Sequence, residues 1–144
     1  MSDEARVPQD VLDTAPGPSG DGCQECESAG GWWFHLRRCV VCGHVGCCDD
    51  SLGQHATAHF EAAGHRWIRS YEPGEDWFWD YADARILIGG DLTPPLAHPA
   101  DQSVPGPAAR VPADWQRQLA AARAARDQPL TRPAAPRSPR GAGR

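Results

Sequence analysis

The sequence predicts a small α+β domain, a short antiparallel sheet with one main helix, flanked by disordered tails. Three observations lead there. Residues 39–65 hold four of the six cysteines and four of the six histidines, with the other two cysteines just upstream in CQEC. Short runs of aromatic and β-branched residues alternate with turn residues between 32 and 89, and one helical stretch interrupts them. Outside roughly 22–92 the composition shifts to proline and dispersed charge.

Residues 1–21 open the chain. Within residues 1–22 five acids face one arginine, a net charge of −4, and the stretch closes on APGPSGDG. Such a segment reads as a disordered acidic leader. It has no apolar h-region and so does not read as a secretory signal. No run of 18 apolar residues follows anywhere, which excludes a membrane-spanning helix. The expected setting is the cytoplasm, where thiols stay reduced and clustered cysteines bind metal more often than they pair.

The predicted strands are WWFHLR, RWIRSY, WFWDY and ARILIG, whose aromatic and β-branched content suits a pleated sheet. EPGED supplies the turn before WFWDY. The main helix is expected over 52–63, with Asp50 or Ser51 as its cap and Gly64 as its stop. From residue 93 the chain becomes TPPLAHPADQSVPGPAARVP, which cannot pack a core of its own. Residues 112–127 read as a short helix inside an otherwise disordered tail of 93–144. Eight arginines against three aspartates give residues 101–144 a net charge of +5. Those charges are dispersed and lack interleaved aromatics, so nucleic acid is not the expected partner. Lysine is absent from the whole chain.

A folded part of about 70 residues is marginal without a staple. CxxC pairs aim two sulfurs at one ion, and zinc prefers tetrahedral thiolate and imidazole donors. Two such pairs occur, Cys23/Cys26 and Cys39/Cys42. Two sites need four more ligands, which Cys47, His55, His59 and His65 provide, with Cys48, His44 and His35 left over. Spacing alone permits several partnerings, from four cysteines on one ion to interleaved sites. Two zinc ions are expected either way.

CxxC followed by WFHL, then CVVCGHVGCC and HATAHFEAAGH, resembles the UBP-type zinc finger over about residues 22–90. GHVGCCD and EPGEDWFW are similar to the bacterial members. The resemblance implies that Cys23, Cys26, Cys47 and His55 hold one ion, and Cys39, Cys42, His59 and His65 the other. Cys47 is preferred to Cys48 because its distance from Cys42 matches the family. Cys48 is then a buried small residue. His44 reads as a loop residue of the knuckle, and His35 and His98 have no metal-like context. Four protein ligands per ion leave no open position, and HATAH lacks the glutamate of a HExxH helix, so no catalysis is expected.

The resemblance also implies a groove for a protein or peptide tail, in eukaryotic members the free Gly-Gly end of ubiquitin. Trp33, Trp79 and Tyr81 match its aromatic walls. Alternation places Trp77, Trp79 and Tyr81 on one strand face, Phe78 and Asp80 on the other. Where ubiquitin binders carry an arginine this chain reads Cys48-Asp49-Asp50, which repels a carboxylate. Arg37, Arg38 and Arg66 are the candidate replacements. The expected protein is a monomeric, zinc-held binding module for a peptide tail. The alternatives are an aromatic cage for a cation and an accessory protein with no such ligand.

Overall fold

The computed structural model describes residues 5–127. Contacts divide the chain into two units, Met1–Ala113 and Asp114–Arg144. The first unit carries the sheet. Its strands are β1 (Leu36–Cys39), β2 (Val45–Cys47), β3 (Trp67–Ser70), β4 (Phe78–Asp80) and β5 (Arg85–Leu87), all antiparallel, in the order β2-β1-β3-β4-β5. Three helices accompany them, α1 (Gln9–Asp13), α2 (Gln24–Ala29) and α3 (His55–Ala63), with a 3-10 turn at Ala108–Arg110. The fold is the expected α+β class. Among the described residues no helix is long and apolar enough to cross a membrane.

All four expected strand segments contribute to the sheet. The fifth strand, β2, comes from VGC, which pairs Leu36 with Cys47. Register then sorts the side chains. Ile68, Trp79 and Ile86 stand in one cross-strand row, and Arg69, Phe78 and Leu87 in the next. Because side chains alternate along a strand, the two rows lie on opposite faces.

The α3 helix starts later than expected, at His55, and its cap is Gln54 in a left-handed conformation with no side-chain cap bond. Ser51 is occupied elsewhere, accepting a 2.9 Å bond from the Phe34 amide. What holds this helix start is sulfur: the His55 amide donates to Cys47 Sγ at 3.3 Å. Gly64 ends the helix as expected, left-handed at φ 75°. Helix and sheet approach closely at Gly46, where an added Cβ would meet the Ala56 nitrogen at 2.7 Å.

Parts of both flanking segments pack on the sheet. Val7, Leu12 and Ala15 of the acidic leader are buried with Val40, Phe78, Leu87 and Leu92. The leader also pairs with the chain beyond β5, Val7 donating to Ile88 and Ile88 to Ala5, each at 3.0 Å. Residues 93–113 likewise belong to the first unit. Composition conceals this, because neither segment has a core of its own. Both instead lay backbone and a few apolar groups on a sheet already built.

Arg38 makes the join. Its guanidinium is 1 % exposed. It donates to the carbonyls of Pro16 (2.6 Å), Thr93 (2.7 Å) and Pro95 (3.1 Å). Arg69 does the same for Leu96 at 2.9 Å. Burial pulls both guanidinium pKa values below the ordinary one. The paired carbonyls are what make such burial tolerable.

The second unit, described by itself, contains α4 (Trp115–Asp127), close to the expected helix of 112–127. Gln118 Nε2 donates to Asp114 Oδ1 at 2.9 Å at its start. The rest of the expected tail lies outside the described residues.

If the leader is part of the core, removing its largest buried side chain destabilises the whole domain. Leu12→Ala should cost about 2–5 kcal/mol in denaturant unfolding of the metal-loaded protein, whereas a mobile leader would leave the midpoint unchanged.

Candidate metal centres and binding groove

Two donor clusters stand at the junction of α2, α3 and the β1–β2 hairpin. One consists of Cys23, Cys26, Cys47 and His55, the other of Cys39, Cys42, His59 and His65. Each is assembled from local geometry. Cys23 caps α2, its sulfur accepting the Cys26 amide at 3.5 Å, which turns both sulfurs of the first CxxC inward. Cys39 and Cys42 flank the tight turn between β1 and β2, closed by the Gly43 amide on the Cys39 carbonyl at 2.9 Å. One turn of α3 separates His55 from His59, so the helix hands one imidazole to each cluster.

The distances test the fit of an ion. Zinc with sulfurs at about 2.3 Å and nitrogens at about 2.0–2.1 Å in a tetrahedron implies S···N near ~3.5 Å, S···S near ~3.8 Å and N···N near ~3.4 Å. In the first cluster His55 Nδ1 lies 3.3, 3.4 and 3.4 Å from the sulfurs of Cys23, Cys26 and Cys47. Cys26 and Cys47 sulfurs are 4.0 Å apart. In the second, Cys42 Sγ to His59 Nε2 is 3.3 Å, Cys39 Sγ to His65 Nδ1 3.6 Å, and the two nitrogens 3.3 Å apart. Both sets match tetrahedral zinc. Each uses four protein donors and closes the coordination sphere, which suits a structural role.

Protonation points the same way. Cys47 is held down to about 2 by hydrogen bonds from Cys23 and Cys26, and Cys26 is pushed far up by the same sharing with Cys23 and Cys47. Cys39 is pushed up to about 11, chiefly by burial. Burial, with His44 and His65 nearby, lowers His59 and keeps it neutral, the form that ligates.

The residues left over find other places. Cys48 is buried, 3.6 Å from Ser51 Oγ and outside both clusters. His98 lies 2.9 Å from Glu72 Oε1, and Glu72 Oε2 accepts the Leu36 amide at 2.8 Å. His35 contributes its carbonyl to the Cys48 amide at 2.9 Å. His44 is more than a loop residue. It is buried and bound to Glu25.

A groove of about 320 Å³ opens on the sheet face opposite the leader. Trp77, Trp79 and Tyr81 line it. Tyr81 is braced by stacking on Phe60 at 4.9 Å and by Thr57 Oγ1, which reaches its hydroxyl at 3.3 Å and Asp49 Oδ1 at 2.6 Å. Ile68 and Ile86 flank Trp79 in the same row and form the apolar floor. Strand alternation could have found both isoleucines, but only the pairing register sets both of them beside the tryptophan.

Trp33 does not belong to this groove. It is 1 % exposed and packs with Cys23, Cys26 and Cys47 under the first metal cluster. Gly106 exchanges two backbone bonds with it, at 2.8 and 2.9 Å, while its indole donates to Gln102 at 2.8 Å. The trailing segment therefore covers the face that sequence reasoning assigned to a ligand. Of the three candidate arginines, Arg37 lines the groove, 4.7 Å over the Trp77 ring. Arg38 faces away, and Arg66 forms a two-pronged pair with Asp80 at 2.9 and 2.7 Å.

Fold and donor sets define a small α+β module stapled by two zinc sites. Residues 23–88 match the family described as a zinc finger in ubiquitin-hydrolases and other proteins, and the chain belongs to that family. It is also similar to a small protein of Rhodopseudomonas palustris whose structure was solved by solution NMR. The two share 40 % identity over 69 % of this chain and 95 % of the other, with a TM-score of 0.53. Among curated proteins nothing matches.

Native mass spectrometry separates the two neighbouring cysteines. Cys47→Ser should lower the count from two ions per chain and weaken folding, whereas Cys48→Ser should keep both ions. Because the donors must lose protons to bind, metal uptake should release protons and affinity should fall as pH drops, measurable by competition with a coloured chelator.

Proposed function

We propose that this protein is a non-catalytic binding module whose groove takes the free C-terminal tail of a peptide or protein, with Arg37 holding the terminal carboxylate. The observation that carries this reading is the state of Arg37. Its guanidinium carbon lies over the Trp77 ring, 4.7 Å from the centroid, and its one hydrogen bond among the described residues is a 3.3 Å contact to its own neighbour, the Leu36 carbonyl. No carboxylate pairs with it among the described residues, in contrast to Arg66, Arg85 and Arg110. A planar guanidinium placed over a ring at the edge of an aromatic groove suits two-pronged recognition of a carboxylate. The flat walls of Trp77, Trp79 and Tyr81 favour small residues next to that terminus. Arg37 thus supplies from β1 the charge that Asp49 lacks.

A second reading has its own support: Asp49 and Asp50 line the same groove beside three aromatic rings, an arrangement that attracts cations. Arg37 opposes such a guest. Reversing the charge, Asp49→Arg, should strengthen a tail that binds through its carboxylate and weaken a methylated amine. Both readings place the protein as a monomer in the reducing cytoplasm, away from membranes and nucleic acid.

Isothermal titration with Gly-Gly-ended peptides tests the first reading directly. A free carboxylate should bind on the order of 10- to 100-fold more tightly than the amide, and Arg37→Gln should erase that difference. Equal binding of acid and amide, or no heat from either with both metals present, would refute it.

A further inference from the structure

Two side chains outside the donor sets connect the metal centres. Glu25 stands on the first turn of α2, two residues after Cys23, and its Oε1 lies 3.9 Å from the Cys23 sulfur. Both of its oxygens reach His44 Nε2, at 2.9 and 2.8 Å. The imidazole of His44 in turn lies parallel to that of His59, with centroids 4.1 Å apart and planes 8° apart. His59 Nε2 is a donor of the second cluster. An unbroken path therefore runs from a sulfur of one centre to a nitrogen of the other.

We propose that Glu25 and His44 are positioning residues that couple the two centres, so that filling either one raises the metal affinity of the other. His44 is not itself a ligand, since the carboxylate takes its Nε2. Its surroundings leave it little freedom. It is 7 % exposed, and a Cβ added to Gly46 would come within 2.8 Å of its ring.

The direction of coupling follows from what each centre orders. An ion bound by Cys23 and Cys26 pins the start of α2 and so fixes where Glu25 points. Glu25 then fixes the plane of His44, and His44 fixes the plane of His59, leaving a preformed nitrogen for the second ion. Read backwards, an ion on His59 holds His44 and draws Glu25, and with it the first CxxC, into place. Linkage makes the effect equal in both directions. A partner that orients a ligating imidazole is a common influence on metal affinity. Here one such partner serves two centres.

The α3 helix, which donates to both clusters, also favours joint filling through folding alone. The test must separate that contribution. Metal-stripped protein receives one equivalent of Co²⁺ or Zn²⁺, and native mass spectrometry counts chains with none, one or two ions. Independent sites, equal or unequal, leave at least half of the chains with one ion at half loading. For sites of equal intrinsic affinity, a coupling of about five-fold or more brings that share below about a third. Unequal affinities raise it, so the filling of each centre is followed separately. The coupling factor is fitted together with both intrinsic affinities, with about five-fold or more expected in the natural protein.

Glu25→Ala removes the bridge at a half-exposed position, and His44→Phe keeps a ring on His59 while abolishing the tie to Glu25. Both should bind two ions in excess metal yet show a larger one-ion share, with their coupling factor several-fold lower. Co²⁺ absorption assigns which centre is filled, because a three-sulfur and a two-sulfur donor set give different spectra. Arg110→Ala, which releases Glu27 on the same helix without touching His44, should leave the distribution unchanged. A fitted coupling factor of one in the natural protein would overturn the coupling. So would a Glu25→Ala distribution identical to the natural one.

Discussion

Two tetrahedral donor sets that interlock along the chain are the constraint on which everything else rests. The order of ligands is Cys23, Cys26, then Cys39, Cys42, then Cys47, His55, then His59, His65, and the ions take alternate pairs. Each ion thus closes a loop that encloses ligands of the other. Of the seven buried residues in the core beneath the first centre, three are themselves metal donors. Metal and hydrophobic core are therefore one structure, not two. Apparent binding energies of about 10–16 kcal/mol per structural zinc in small fingers exceed what so few apolar contacts supply.

This staple frees the sheet to be short. Three of its five strands have three residues, too few to persist alone, yet they hold register because metal fixes the hairpin at one edge. With the sheet in place, its two faces take different fates. One is closed by the chain's own flanks, apolar from the leader and backbone from the trailing segment, tied through buried Arg38. The other keeps Ile68, Trp79 and Ile86 beside an arginine and two aspartates. The sheet thus has a closed apolar face on one side and an amphipathic groove on the other.

The polar groups follow the same economy. Buried charges meet carbonyls or partners: Arg38 and Arg69 bind the trailing segment, Asp80 binds Arg66, Glu72 binds an amide and lies against His98. Glu25 and His44 link the two metal centres. Arg37 stands apart from this pattern, placed over the Trp77 ring with no carboxylate paired to it among the described residues. Among the described residues, whose buried and half-buried charges are otherwise paired, that exception lies in the groove.

By itself the sequence determined the class of fold, the number of ions and seven of the eight donors, while the family resemblance chose Cys47 over Cys48. Those depend on residue type and short spacing: a CxxC knuckle points two sulfurs together wherever it occurs, and histidines four apart share a helix face. It also determined the strand segments, because pleated pairing selects aromatic and β-branched residues. Which sulfurs partner which histidines was open on spacing alone; the family resemblance supplied that pairing, and the assembled distances agree with it. The roles of Trp33, Arg37 and the flanks could not be read, because each depends on what covers a surface. Trp33 and Arg37 sit on neighbouring elements with similar surroundings in sequence. Only the packing of residues 99–110 over one, and the groove beside the other, separates a core tryptophan from a groove arginine. Long-range burial decided that, and no local pattern encodes it.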